Sequence, residues 1–496
     1  MPSHHKNLRK VFILWAKRNI IEKAASCRFS IERFEYIHGQ SDPRGHSYIA
    51  GGKASPFYRH RWIWYVSLVQ ILHKKGYYIT GSDNNETDTL AAERALGIPI
   101  FMGQRAENIQ GADLIVYTAA IMADNPELIA AMESDVPAIE RSVLLGIVTG
   151  QYSNAICVSG THGKTTTTSM ITQILVEANL DPTAVIGGKL PLIGGSGRVG
   201  ESDTMVCEAC EFVDTFLKLY PDIAVILNID ADHLDYFGTV ENIIKSFHKF
   251  ASNATKAILV NGDDANSMKA LEGLDKKVIT FGFGEENDYF PRNIQVISER
   301  HTQFELWSKA DGRLSRMVIA VPGHHNVLNA VAAAVASFQA GATPEQAAAG
   351  LSHFGGAKRR FEILGQVRGI TIADDYAHHP AEIKVTLEAA KSMHYKKVWA
   401  VFQPFTYSRT KMLLDDFAAS LSIADQVVLS EIMGSREKNT YNIYAKDLAE
   451  KIEGCVWFPE FPEIAQYVMS HAEDGDLVIT LGCGDVNKCA NMMLTL

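Results

Sequence analysis

The chain has 496 residues, 47% of them hydrophobic and 21% charged, the balance of a soluble globular protein long enough for two to four domains. Its formal net charge of -10 argues against a nucleic-acid binder, which usually carries a basic face, while loops and a bound cation can still hold small anions. Seven cysteines, an odd number in so long a chain, argue against a disulfide framework, and no run is long and apolar enough to cross a membrane.

Near the start, Lys6, Arg9 and Lys10 precede a short apolar run, residues 11–16, that resembles a signal peptide. Charges return at once with Lys17 and Arg18 and no cleavage site follows, so a cytoplasmic location is expected. In the first block, to about residue 150, strands are expected at 77–80 and 114–118.

The second block opens with a strand expected at 155–158, running into Gly160-Thr161-His162-Gly163-Lys164-Thr165 and a helix to about 178. Glycines at such a turn let backbone N–H groups approach phosphate oxygens, and the helix N-terminus adds positive charge. Lys164 is expected at the β/γ-phosphates and the Thr165 hydroxyl at Mg²⁺. The general pattern wants a further glycine where Val158 stands, so this is a shortened variant.

Two acidic clusters follow, Glu208-Ala209-Cys210-Glu211 and Asn228-Ile229-Asp230-Ala231-Asp232-His233-Leu234-Asp235, the second just after a strand expected at 224–229. Glu208 suits magnesium, which prefers oxygen; His233 suits a metal or a capping role equally. Cys207 and Cys210 have CxxC spacing but no second pair, which favours structural thiols. Pro322-Gly323-His324-His325-Asn326-Val327-Leu328-Asn329 leads into an alanine-rich helix. Asn326 there is either its N-cap or an adenine reader, and Thr343-Pro344-Glu345 starts the next helix.

The third block begins after about Leu364, with strands expected at 370–373, 398–402, 426–429 and 477–480. Lys358-Arg359-Arg360-Phe361 is a basic run at the joint before it, where ligands often bind. Asp374-Asp375-Tyr376-Ala377-His378-His379-Pro380 places more polar groups at a strand end than capping needs. In Gln403-Pro404-Phe405-Thr406-Tyr407-Ser408-Arg409-Thr410, Arg409 is either a surface residue or a fork for a carboxylate. Strands alternating with helices predict an α/β chain with parallel sheets.

Together these segments resemble the Mur ligase family, which builds the peptide stem of bacterial peptidoglycan; the strongest pieces are residues 160–168, 228–235, 323–329 and 358–361. The aspartate-aspartate-tyrosine and histidine-histidine-proline run at 374–380, Phe402-Gln403-Pro404, Ser408-Arg409-Thr410 and Gly484-Asp485 are most similar to the branch that joins L-alanine to UDP-N-acetylmuramate. Phe405-Thr406 departs from that branch's usual histidine-arginine. The resemblance implies three domains: a Rossmann-like N-terminal domain over 56–150, a central P-loop ATPase-type domain over 151–363 and a Rossmann-like C-terminal domain over 364–496. Residues 1–55 are left as an extension without a role. It implies ATP and Mg²⁺ as cofactors, and activation of the substrate carboxylate as an acyl phosphate that the amino-acid amine attacks. Carried over by position, Gly160, Thr161, His162, Gly163, Lys164, Thr165 and Thr166 hold phosphates, and Thr165, Glu208 and His233 serve magnesium. His325, Asn326 and Asn329 lie where adenine is held, Arg360 and Asp375 reach the nucleotide, and His378, His379 and Arg409 meet the amino acid. Murein peptide ligase, folylpolyglutamate synthase and an inactive nucleotide-binding relative are the competing expectations.

The first domain of such a ligase should open with a strand and a glycine-rich turn. Pro56-Phe57-Tyr58-Arg59-His60-Arg61-Trp62-Ile63-Trp64-Tyr65-Val66 stands there and has no glycine, with Trp62 and Trp64 where backbone must touch phosphate. Read one base later, Trp62 (TGG) followed by Ile63 gives GGA, and Trp64 followed by Tyr65 gives GGT, both glycine. With permitted codon choices the run becomes His-Phe-Ile-Gly-Ile-Gly-Gly-Phe-Gly-Met, which predicts a local frameshift ending near Val66.

Overall fold

The computed structural model describes residues 10–15, 63–118, 121–298, 301–434 and 437–496. The segment 56–62, on which most of the shifted frame rests, lies outside the described residues. The molecule is an α/β protein built on three sheets.

The first sheet orders Ile100–Met102, Tyr78–Asp83, Lys10–Trp15, Leu114–Tyr117 and Ala138–Glu140. Its two outer pairs are parallel. The order is that of a doubly wound fold, whose central strand would run parallel to its neighbours and lead directly into a helix. Here Lys10–Trp15 fills the central slot antiparallel to both neighbours, far upstream of the helix Ile63–Lys74.

The second sheet has ten strands. Six in its middle, Thr183–Leu190, Thr204–Glu208, Asn154–Ser159, Ile223–Ile226, Ala257–Asn261 and Val278–Phe281, are mutually parallel neighbours in that order. The expected strand at 155–158 is the centre of this set. It reads as a continuous apolar run because helices cover both faces. The alanine-rich helix His324–Phe338 packs against Lys164–Glu177, small side chains at Ala332, Ala333, Ala334 and Ala336 permitting close approach. An antiparallel ribbon, Tyr289–Val296, Thr302–Ser308 and Gly312–Ile319, extends the sheet.

The third sheet orders Glu362–Val367, Ile370–Asp375, Leu477–Leu481, Val398–Phe402, Gln426–Leu429 and Val456–Trp457, parallel except for the first pair. All four strands expected there occur. Among the described residues no helix is long and apolar enough to cross a membrane.

Sheet order decides what meets. At the carboxyl edge of the second sheet, Glu208, the turn after Ser159 and the turn after Ile226 lie side by side. At that of the third, Asp375, Gly482 and Gln403 do the same. Ligands of open α/β sheets bind at such edges.

Candidate active site

Residues 160–163 form the turn into the helix Lys164–Glu177. Gly163 has φ +85, and a Cβ there would sit 2.6 Å from the Asn329 Oδ1, so only glycine fits. The turn is braced by the neighbouring strand end. The His162 N–H donates to Asn228 Oδ1 at 2.8 Å, Asn228 Nδ2 donates to the His162 carbonyl at 3.1 Å, and the Asp230 N–H donates to Thr161 Oγ1 at 2.9 Å.

Lys164 Nζ donates to the carbonyls of Gly160 (2.5 Å) and Thr161 (3.0 Å) and to Glu211 Oε1 (3.0 Å). Burial alone would lower its pKa, but the Glu211 carboxylate outweighs this and the net shift is upward. Thr165 Oγ1 donates to Glu208 Oε2 at 3.0 Å, and the Gly187 N–H donates to the same oxygen at 2.6 Å. Burial pushes the Glu208 carboxyl above the usual range, opposed by Lys164, the Gly187 N–H, Arg360 and Thr165. Thr166 stands half-buried in the first helical turn.

A buried carboxylate beside a threonine hydroxyl, next to a glycine turn of phosphate-binding type, is a fitting place for a hard cation. Among the described residues no group of three or more His, Cys, Asp or Glu forms a cage. Mg²⁺ takes one or two carboxylates with water and substrate phosphates. His233 lies beside Glu211, the carboxylate that pairs with Lys164. Its Nε2 is 3.6 Å from Asp232 and 3.9 Å from Glu211, and its ring lies 4.6 Å from Phe212. Burial lowers its pKa against the pull of Asp232 and Glu211, leaving a neutral imidazole. The residue precedes the short helix Leu234–Phe237 without a side-chain capping bond, so the capping alternative is not realised.

From the joint, Arg360 Nη2 reaches within 3.4 Å of Thr165 Oγ1. Asp375 accepts from the Phe361 N–H (2.6 Å) and the Ala377 N–H (2.7 Å). Burial raises its pKa to about 6, against the Arg360 charge and those two bonds. Arg359, for which sequence reading had no role, turns the other way. It donates to Asp374 (2.8 Å) and to the carbonyls of Gly482 (2.7 Å) and Gly484 (3.1 Å). Adjacent arginines thus serve opposite sheets, which a run of like charges in sequence cannot reveal.

Asn326 is not an N-cap: that position belongs to Gly323, because the helix starts at His324. Asn326 Nδ2 instead donates to the Pro322 carbonyl at 2.6 Å, and Asn329 Nδ2 donates to Asn326 Oδ1 at 3.0 Å. Burial lowers His325 to about 4, a neutral ring. His324 stacks on Phe283 at 4.3 Å, a flat pair the sequence had not singled out.

Arg409 is buried, not a surface arginine, and its Nη2 lies 3.5 Å from Asp232 of the second sheet. His379 caps the helix Pro380–Ser392 and its ring centroid is 6.1 Å from that of His162. The His378 N–H donates to Glu382 at 3.1 Å. Phe405 packs with Tyr376 and Cys483. The structure thus gathers the phosphate loop, Glu208, Arg360 and Asp375 at one locus. Asp232, Arg409, His378 and His379 line its flank, and Asn329 abuts the loop from the helix side.

Three family models match the chain: "Mur ligase family, catalytic domain" over residues 66–153, "Mur ligase middle domain" over 158–337, and "Mur ligase, glutamate ligase domain" over 359–484. The UDP-N-acetylmuramate–L-alanine ligase of Caldanaerobacter subterraneus subsp. tengcongensis is 42% identical over 433 residues, 86% of this chain and 94% of its own. The protein of that name from Agathobacter rectalis is 45% identical over 434 residues, 86% and 94% of the two chains. Among solved structures, the UDP-N-acetylmuramate–alanine ligase of Thermotoga maritima superposes with a TM-score of 0.73 at 26% identity, covering 87% of this chain and 96% of that one. A murein peptide ligase from Psychrobacter arcticus gives 0.66 at 25% identity with the same coverage.

Proposed function

The chain belongs to the Mur ligase family, and we propose that it is an ATP-dependent ligase joining L-alanine to UDP-N-acetylmuramate in peptidoglycan precursor synthesis. What carries the substrate assignment is the extent of the likeness, 42% identity over 433 residues to a ligase of that name. The geometry supports the chemistry. Lys164 offers its ammonium to phosphate oxygens at the turn, where backbone N–H groups and the helix end converge. Thr165, Glu208 and His233 are the residues that would hold Mg²⁺, which supplies charge neutralisation on the phosphates. Arg360 comes to the same locus from the joint, where negative charge grows as the γ-phosphoryl passes to the substrate carboxylate. Asp375 fixes the backbone at Phe361 and so the approach of Arg360. Arg409 is the candidate fork for the amino-acid carboxylate, with His378 and His379 beside it. His325, Asn326 and Asn329 are the candidate adenine residues. A cytoplasmic setting and a role in cell shape and division belong to the same proposal.

The domain division at about 150 and 363 is likewise our reading. We place the uridine-nucleotide site at the carboxyl edge of the first sheet, with its glycine turn interrupted before Val66. The family match starting at residue 66 and the reversed direction of Lys10–Trp15 support a shifted frame upstream. Coding DNA across residues 56–66 decides it: codons unable to give glycine in the shifted frame rule it out.

The likeness to a murein peptide ligase keeps a tripeptide acceptor as the second reading. Phosphate release with UDP-N-acetylmuramate and each acceptor separates them. L-alanine alone should support release; release only with the tripeptide supports the second.

A further inference from the structure

Glu382 is the third residue of the helix Pro380–Ser392, where an acid is expected for capping and for the helix dipole. One oxygen does that work: Oε2 accepts from the His378 N–H at 3.1 Å and lies 3.1 Å from His378 Nδ1. The other oxygen has a different partner. Oε1 lies 3.5 Å from Nδ1 of His162, in the phosphate loop of the second sheet. A capping carboxylate has no need of a histidine from another sheet. The second nitrogen of His162 lies 3.7 Å from Asp230, so the imidazole sits between two carboxylates. The side chains of His162 and Glu382 are 26% and 20% exposed, well out of bulk water.

We propose that Glu382 is a positioning residue: it ties the phosphate loop, through His162, to His378 on the amino-acid side of the third sheet, and so sets how the amine approaches the activated carboxyl. The proposal rests on the ligase reading above. Burial favours neutral His162, yet Asp230 and Glu382 outweigh it and raise its pKa to about 9, with Asp232 adding to the pull. His325 and His379 also face this ring. Glu382 is held well below its ordinary range despite burial, His378 and His162 being the cause. The two flanking carboxylates thus favour the charged imidazole.

The test uses the full chain. Glu382→Gln keeps an oxygen for the His378 N–H and removes the charge; Glu382→Asp restores the charge on a shorter stem; His162→Asn removes the partner. In protein labelled at histidine, the NMR titration midpoint of His162 should fall by about one unit in E382Q and recover in part in E382D. An unchanged midpoint overturns the tie, whether or not the enzyme turns over. In phosphate release, E382Q should raise the amino-acid KM about tenfold and leave the ATP KM within about twofold. The double variant should be no worse than the poorer single one. Additive losses, or an equal rise in the ATP KM, overturn the proposal. Wild-type release that ignores UDP-N-acetylmuramate or the amino acid would instead undo the ligase reading, and the titration would still judge the tie.

Discussion

Lys164 is held by two loop carbonyls and Glu211, so its charge stands in the turn before any phosphate arrives. Lys164→Ala should leave the fold intact by circular dichroism and lower kcat by about 10²–10³, the usual loss for one preorganised charge-stabilising donor. A loss under threefold would remove Lys164 from the phosphate site. Asp375 gives a prediction with a sign. Its folded pKa of about 6 lies above the ordinary 3.8, so the folded state holds this proton more tightly than the unfolded chain. That stability is complete below about pH 3.8 and is lost as pH rises through about 6. Asp375→Asn removes the charge, and its amide nitrogen cannot accept the second of the two backbone bonds, which costs the same at every pH. Its stability relative to the wild type should therefore rise by about 1–3 kcal/mol from pH 4 to pH 7.5, while ligase activity is lost. Melting curves from pH 4 to 8 check this, and a gap independent of pH would contradict it.

At the scale of elements, the phosphate turn depends on tight approach between three pieces: the loop itself, Asn228 after the neighbouring strand, and Asn329 on the alanine-rich helix. Gly163→Ala puts a methyl against Asn329 Oδ1 at a positive φ, and should abolish detectable ATP binding in a calorimetric titration. Thr343→Ala is the control at a distance. It breaks the capping box with Gln346, should cost about 1 kcal/mol in denaturant unfolding, and should leave turnover unchanged. Normal ATP binding in the first variant, or lost turnover in the second, would contradict this division. What the sequence made legible follows the same lines. The strand Val398–Phe402 and the turn at Gly163-Lys164 are local: an apolar run between polar stops, and glycine next to lysine before a helix. The antiparallel ribbon after Tyr289 was missed although Thr302–Ser308 alternates buried with half-buried residues and Asp311-Gly312 stands at its hairpin, because a search for strands alternating with helices passes over a hairpin added at the sheet edge. Arg359 and Glu382 were missed for another reason. Each looks like an ordinary surface or capping charge until the fold brings a partner from far along the chain.

On the scale of the whole molecule, two of the three sheets meet with their carboxyl edges turned to one site, through Arg360 to Thr165, Glu382 to His162 and Arg409 to Asp232. The first sheet is the exception, with its central strand reversed. A chain carrying Trp62 and Trp64 in place of glycines should bind uridine nucleotides poorly, and calorimetry showing ordinary tight binding would contradict that. A gene restored to the shifted frame should regain it. The reaction itself is tested by phosphate release from ATP at saturating UDP-N-acetylmuramate, with each amino acid offered in turn. Release should require both UDP-N-acetylmuramate and L-alanine. Release that proceeds without the amino acid, or that only a tripeptide or glutamate supports, would contradict it.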